Sequence, residues 1–365
     1  MPHAADADGA TGCPLACVFA RASGRARRPT TSMRLVHSST DPLLFLIEDF
    51  ITPNQCACLK HMSERVEQSS GGCAGPALAV HDEQFTQAEQ TLLADIEERI
   101  GIVTGCPPHS EELPLLLLHK SPEAARPAKP SAVAVADPAA TASAGTLAAA
   151  DIQQRAQTRY PAGIHLDTHA FPVRFASALL YISSPSSGGQ TVFPLAAPRS
   201  EQAQHSNGNG DQLRAASDKM IAHDVHHTRF SDDPALSAAT LALEAAALNA
   251  PSVFDATDGS GIDATRVAVP AYATHEDALS VAPKAGNLVV FWTREADATI
   301  AARSWHGGEA VYHDSAEDKW LLRKFKEIPA NVFHNQASRI AFMAQSHAEA
   351  HQRLPRAGAQ GLRVP

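Results

Sequence analysis

The chain has 365 residues, a formal net charge of -9 and a pI near 6.0, with 19% charged and 5% aromatic residues. That balance excludes a broad basic surface for nucleic acid, because neutralising phosphates needs clustered Lys and Arg. The length allows one large domain or two smaller ones, and the sparse aromatic and charged content implies that part of the chain lies outside any core.

Residues 1–40 are rich in Ala, Ser, Arg and His without an apolar period and are expected to form a disordered leader. Asp6 and Asp8 precede its short apolar stretch, and Arg21, Arg25, Arg27 and Arg28 follow it, an order that fits a secretory signal poorly. No apolar run approaches the roughly 20 residues that span a bilayer, so no membrane span is expected. Cys13, Cys17, Cys56, Cys58, Cys73 and Cys106 lack the spacing of a zinc ribbon or disulfide scaffold and read as free thiols.

Residues 41–120 read as strand and helices. Leu43–Ile47 suits a buried strand, and Thr52 followed by Pro53 marks a helix start whose apolar side carries Cys56, Leu59 and Met62. A second helix is expected over Glu89–Ile100, with Leu92, Leu93, Ile96 and Ile100 on one face and its end at Gly101. The run Glu112–Leu118 suits a strand covered on both sides, with Pro114 near its start. Residues 121–150 are Ala- and Pro-rich and read as an insertion.

Across 151–330, short strands are expected at Arg174–Ser183, Thr191–Phe193, Ala278–Val281, Asn287–Trp292, Glu309–Tyr312 and Lys319–Phe325, with a turn at Gly188-Gly189. Residues 199–275 read as a second, polar and Ala-rich insertion holding one helix, Leu236–Leu248, and residues 331–365 as a C-terminal tail. Many short strands with helices placed early predict an α+β fold built on a double-sheet barrel, with long disordered insertions.

Chemistry gathers at His165-Leu166-Asp167 and at His306 in Trp305-His306-Gly307. Strand alternation sends His165 and Asp167 to one face, and two imidazoles with one carboxylate are the donor set that holds Fe(II) while leaving positions open. Alone, His-x-Asp is a weak signal whose plain alternative is a surface loop. The strings around it are stronger: Arg174, Ser177 and Leu179-Leu180-Tyr181-Ile182, then Gly188-Gly189-Gln190-Thr191, Phe193-Pro194, Pro283-Lys284-Ala285-Gly286, Leu288–Trp292, His306 and Lys319-Trp320.

In this order they resemble the prolyl 4-hydroxylase group of the 2-oxoglutarate and Fe(II)-dependent dioxygenases, over roughly residues 43–120 and 156–330. The resemblance implies a double-stranded β-helix (jelly roll), with His165, Asp167 and His306 as iron ligands, Lys319 on the far carboxylate of 2-oxoglutarate and Tyr181 beside it. It also implies O2 as co-substrate, ascorbate as reductant, a peptide or protein substrate with proline oxidised, and succinate and CO2 as co-products. Other readings are an oxygenase for another side chain or a small molecule, and a catalytically silent binding module of the same fold.

Two departures from the family pattern leave alternatives. The short spacing from Tyr160 and Gly163 admits a register with His169 as first ligand, although Phe171 would then stand where a carboxylate is needed. His306 and Lys319 are farther apart than usual, so His313–Asp318 reads as a lengthened turn, with Arg323 and Lys324 as other partners for the carboxylate. His223, His226 and His227, like His347 and His351, read as solvated; Trp292 and Phe291 read as core. The compartment is left at cytoplasmic by default, with the endoplasmic reticulum allowed by the resemblance.

Overall fold

The computed structural model describes residues 34–40, 42–69, 76–122, 149–168, 171–196, 209–230, 236–248, 250 and 278–353. In chain order its elements are β1 (Arg34–Thr40), β2 (Leu43–Glu48), α1 (Pro53–Ser69), β3 (Ala77–Leu78), α2 (Gln87–Thr104), β4 (Leu115–Lys120), α3 (Ala149–Arg159), β5 (Arg174–Tyr181) and β6 (Thr191–Phe193). There follow α4 (Asn209–Ala222), α5 (Ser237–Leu248), β7 (Leu279–Val281), β8 (Leu288–Trp292), β9 (Gly307–Gly308), β10 (Lys319–Glu327), α6 (Ala330–Phe333) and α7 (Gln336–Arg353).

The strands form a seven-stranded sheet, in the order β1-β2-β8-β5-β10-β4-β3, and a three-stranded sheet, β7-β6-β9. Every pairing between these strands is antiparallel. Alternation gives the large sheet two apolar faces. Leu43, Phe45 and Ile47 of β2, Ala176, Ala178 and Leu180 of β5, and Leu288, Val290 and Trp292 of β8 pack against α1, α2 and α7. The residues between them, Leu44, Leu46, Leu179, Tyr181, Val289 and Phe291, meet Phe193, Leu279 and Val281 of the small sheet. The site lies in this space between the sheets.

The helices begin where their caps dictate. In α1 the Thr52 hydroxyl accepts from the Gln55 amide at 3.2 Å, with Pro53 at the first helical position, where its missing N–H costs nothing. In α2, Thr86 and Glu89 form a reciprocal capping box, worth about 1 kcal/mol. Leu93, Ile96, Ile100 and Val103 of this helix are buried, each contributing about 1.5–3 kcal/mol. The helix does not stop at Gly101 but runs to Thr104, because Gly105, at φ 68°, provides the left-handed cap.

Several expectations are corrected. Arg34–Thr40 lies in the segment read as a disordered leader, yet it pairs with β2 as an edge strand. Only one face of β4 is covered: Leu115 and Leu117 are buried, whereas Leu116 and Leu118 are half-buried. Glu309–Tyr312 forms no strand; pairing there is confined to β9 and a single bridge between Gly188 and Val311. The expected α+β class with mostly antiparallel strands is present, and among the described residues the large sheet is open, ending at β1 and β3.

The second insertion is not wholly disordered. The predicted helix Leu236–Leu248 is present as α5, and α4 joins it; with α3 they bury Ile152, Ala156, Leu213, Met220, Leu243 and Ala246 in a second core against Val192 and Trp305. The expected C-terminal tail is α7, whose Phe342, Met343 and Ala350 enter the first core. Residues 123–148, most of the first insertion, lie outside the described residues. Among the described residues no helix is long and apolar enough to cross a membrane, and Cys56, Cys58 and Cys106 are free.

Candidate metal centre

After α3 the chain turns at Gly163, whose amide donates to the Tyr160 carbonyl at 2.8 Å, and enters a short extended segment. There the His165 amide donates to the His306 carbonyl at 2.8 Å and the His306 amide returns to the His165 carbonyl at 3.0 Å. This antiparallel bridge places side by side two histidines that are distant in sequence. His306 directly precedes β9, so the small sheet fixes its register. Gly307 permits the close approach: a Cβ there would stand 2.5 Å from Ile164 Cδ1.

The three predicted ligands converge. His165 Nε2 lies 3.5 Å from Asp167 Oδ1, and His306 Nε2 lies 3.4 Å from Asp167 Oδ2. One donor atom from each residue falls within 4.8 Å of the others, close enough for a single ion. His306 Nδ1 sits 3.1 Å from the Ser304 carbonyl, which takes its N–H and leaves the Nε2 lone pair facing Asp167. The Ser177 hydroxyl donates to Asp167 Oδ2 at 2.6 Å and fixes the carboxylate plane. Phe291 and Phe193 pack on the His306 ring, with centroids 4.7 and 5.9 Å away. The His165 side chain is 25% exposed, against 4% for Asp167, so the site opens on the His165 side.

Electrostatics favour the deprotonated forms of Asp167 and His306 that a cation requires. Burial pushes the Asp167 carboxyl up, but His306, His165 and Arg323 outweigh it and hold the group well below the usual carboxylate range. Burial pulls His306 down to about 4, despite the opposing charge of Asp167. Two imidazoles and one carboxylate suit a divalent first-row ion, iron included, and among the described residues no fourth His, Cys, Asp or Glu joins the cluster. The residues present therefore fit the implied metal.

Lys319 starts β10 opposite Lys120, so the lengthened turn before it leaves it in register. It is 1% exposed; its Nζ donates to the Gly189 carbonyl at 2.5 Å and lies 5.5 Å from the Tyr181 ring centroid. Tyr181 is also buried and donates to the Thr191 hydroxyl at 2.7 Å. Burial, then the charge of Lys120, pulls Lys319 down to about 7, against the opposing pull of Glu309. The Gly188-Gly189 turn is sterically required: at φ 72° a Cβ on Gly188 would meet the Ala310 carbonyl oxygen at 2.3 Å.

The two fallback cations part company. Lys324 faces the helices, 2.9 Å from Glu97 and 3.5 Å from Glu112, away from the site. Arg323, one residue earlier, shares the Lys319 face. Arg174 is buried between Phe171 and Phe325, 3.8 and 3.5 Å from their ring centroids, with Nη1 3.5 Å from the Asp167 carbonyl. Phe291 and Trp292 are core, as expected, although Phe291 also floors His306.

His169 lies outside the described residues. The reading of His223, His226 and His227 as a solvated loop is overturned for the last two. Leu166 donates to the His226 carbonyl at 2.9 Å, His165 bridges His227, and their rings stack 5.7 Å apart. His227 accepts from the Arg229 amide through Nδ1 at 3.0 Å and donates from Nε2 to the Ala162 carbonyl at 2.7 Å, so it walls the site without a lone pair for metal. Nothing in the periodicity of an Ala-rich insertion signals this; only the pairing reveals it. His347 is half-buried, not solvated, with Nε2 3.0 Å from the Arg294 carbonyl, whereas His351 is exposed.

A second cluster, Cys106, His109 and Glu112, also brings donor atoms together. Here the cation is already supplied, because Lys326 Nζ stands 2.5 Å from Glu112 Oε1. Compared with protein families and with curated proteins, the chain matches none.

Proposed function

We propose that this protein is an Fe(II)- and 2-oxoglutarate-dependent dioxygenase that hydroxylates a peptidyl residue, with proline the first candidate, and releases succinate and CO2. The observation that carries the reading is the convergence of His165, Asp167 and His306 in the space between the sheets, with Lys319 buried on the inward face of β10. The two antiparallel sheets facing each other across Phe193, Tyr181 and Phe291 support the further reading of a double-stranded β-helix left open at its edges.

Bound at the three ligands, iron would supply the oxidative chemistry, with O2 and 2-oxoglutarate as co-substrates and ascorbate as reductant. The chain's own part is positioning. Ser304 and Ser177 orient His306 and Asp167 through the hydrogen bonds described above. Lys319 offers an ammonium to a carboxylate in a dry recess, where a charge-assisted hydrogen bond is strong. Tyr181 and Thr191 complete that recess, and Phe193 and Phe291 keep water from the His306 side. Proline as the oxidised residue rests on the ordered strings of the sequence, since a fold does not fix a substrate.

The test is succinate release from 2-oxoglutarate in the presence of iron, ascorbate and proline-containing peptides, for wild type beside Asp167→Asn. The reading expects peptide-stimulated succinate in the wild type and none above background in the variant. An iron-loaded wild type that leaves 2-oxoglutarate intact, with or without peptide, would point to a binding module instead.

A further inference from the structure

The inward face of β10 carries more positive charge than the co-substrate anchor accounts for. Lys319, Leu321, Arg323 and Phe325 share that face by strand alternation. Lys319 lies at the Tyr181 end, where its neighbours are Gly189, Tyr181 and Lys120. Arg323 is four residues further on, about 13 Å along the strand at its usual rise, opposite Leu179 and two pairs from the Phe325–Ser177 pair. Ser177 is the residue that holds Asp167.

Among the described residues no carboxylate forms an ion pair with Arg323, and its guanidinium makes no hydrogen bond to them. Its contact is with the Phe325 ring, 4.5 Å from Cζ to the centroid, and its Nε is buried without a partner. Its charge is nevertheless felt at Asp167, His306 and Arg174, so it stands beside the metal ligands. Arg174 sits over the same Phe325 ring, and the carboxylates that oppose it are Asp167 and then Glu327, the latter at 3.8 Å. Two guanidinium groups thus share one ring, and Asp167, the acid that both feel, is itself a candidate metal ligand held by Ser177, so an anion bound between them would complete the arrangement.

A 2-oxoglutarate held at Lys319 while chelating iron would engage both of its carboxylates, leaving Arg323 for the other substrate. Resting on the dioxygenase reading, we infer that Arg323 determines specificity by holding a carboxylate that the oxidised substrate carries near the reacting carbon. The guanidinium fork matches a carboxylate with two parallel hydrogen bonds, and the 47% exposed Phe171 offers an apolar flank for the adjoining carbons. The carboxylate can be an acidic side chain beside a peptidyl proline or the free carboxyl of proline itself.

Calorimetry on the Mn(II)-loaded full chain separates the roles of the two cations. N-acetylproline is compared with its amide, and acetyl-Gly-Pro-Glu-amide with acetyl-Gly-Pro-Gln-amide, on wild type, Arg323→Gln, Arg323→Lys and Lys319→Ala. The wild type is expected to prefer the carboxylate member of one pair by about tenfold or more, that pair identifying the source. Arg323→Gln abolishes the preference, Arg323→Lys restores part of it, and both keep the wild-type metal stoichiometry and bind 2-oxoglutarate within about threefold of wild type, whereas Lys319→Ala loses about tenfold or more. Equal binding within both pairs by the wild type would overturn the inference, as would loss of 2-oxoglutarate from Arg323→Gln to the extent seen in Lys319→Ala. A wild type that binds metal but ignores 2-oxoglutarate would sink the dioxygenase reading alone, because the paired titrations still report whether Arg323 holds a carboxylate.

Discussion

Ser177 donates a 2.6 Å hydrogen bond to the Asp167 oxygen that stands 3.4 Å from His306 Nε2. The hydroxyl therefore sets the direction in which a buried carboxylate presents its lone pairs, and Ser177 is itself 0% exposed. Groups that orient a metal ligand in this way contribute roughly 10–100-fold to affinity. Ser177→Ala is expected to weaken Mn(II) or Fe(II) binding in that range while leaving the melting curve of the metal-free protein almost unchanged. Unaltered metal affinity would mean that Asp167 needs no such guide.

Lys319 gives a pH dependence. Burial and Lys120 bring it down to about 7 in the free protein, and the dicarboxylate is bound by its protonated form. Below that pH the ammonium is already present; above it a proton must be taken up on binding, so 2-oxoglutarate affinity is expected to fall by up to about tenfold per pH unit. Calorimetry in two buffers of different ionisation enthalpy reads the proton uptake directly. Affinity that stays flat from about pH 6 to 9, with no proton uptake, would remove Lys319 from the anchor.

Glu112 and Lys326 form a fully buried pair between α2 and β10, with His109 beside it. Burial pushes the Glu112 carboxyl up, but Lys326, His109 and Lys324 outweigh it and hold the group at about 2. A depressed carboxyl adds stability that is present above its unfolded value and lost as the pH falls toward the folded one. Glu112→Gln is expected to cost about 3–5 kcal/mol at neutral pH, because it strands a buried ammonium, and the gap to wild type should shrink below about pH 4.5. Denaturant titrations at two pH values check it; a pH-independent gap would locate the loss in packing instead.

His227 stacks on His165 but has both ring nitrogens engaged by backbone groups. His227→Gln is accordingly expected to keep one metal ion per chain, whereas His306→Ala loses it. Metal analysis after dialysis distinguishes the two, and loss in both would make the insertion part of the first coordination sphere.

The strands and first helices could be read from the sequence because their apolar residues are large and spaced by their partners: Leu43–Ile47 and Leu288–Trp292 are buried on both faces, and Leu93, Ile96 and Ile100 recur at helical intervals. The candidate ligands were readable for another reason, since His-x-Asp and His306 stand in sequence among the ordered strings that form β5, β6, β8 and β10. Other elements gave little contrast. Edge strand β1 has one partner, β2, and its sequence Arg-Leu-Val-His-Ser-Ser-Thr is mostly polar. Helices α4 and α5 bury mainly Ala with a few Leu and Met, so the core they form hardly departs from the composition of a linker. The pairing of His165 with both His306 and His227 joins three distant segments, which no local pattern encodes.

The most direct measurement is anaerobic Fe(II) binding by equilibrium dialysis for wild type, His165→Ala and His169→Ala. One iron per chain in the wild type and in His169→Ala, with loss in His165→Ala, is the result expected from a centre built on His165, Asp167 and His306. Retention of iron by His165→Ala with loss in His169→Ala would contradict it.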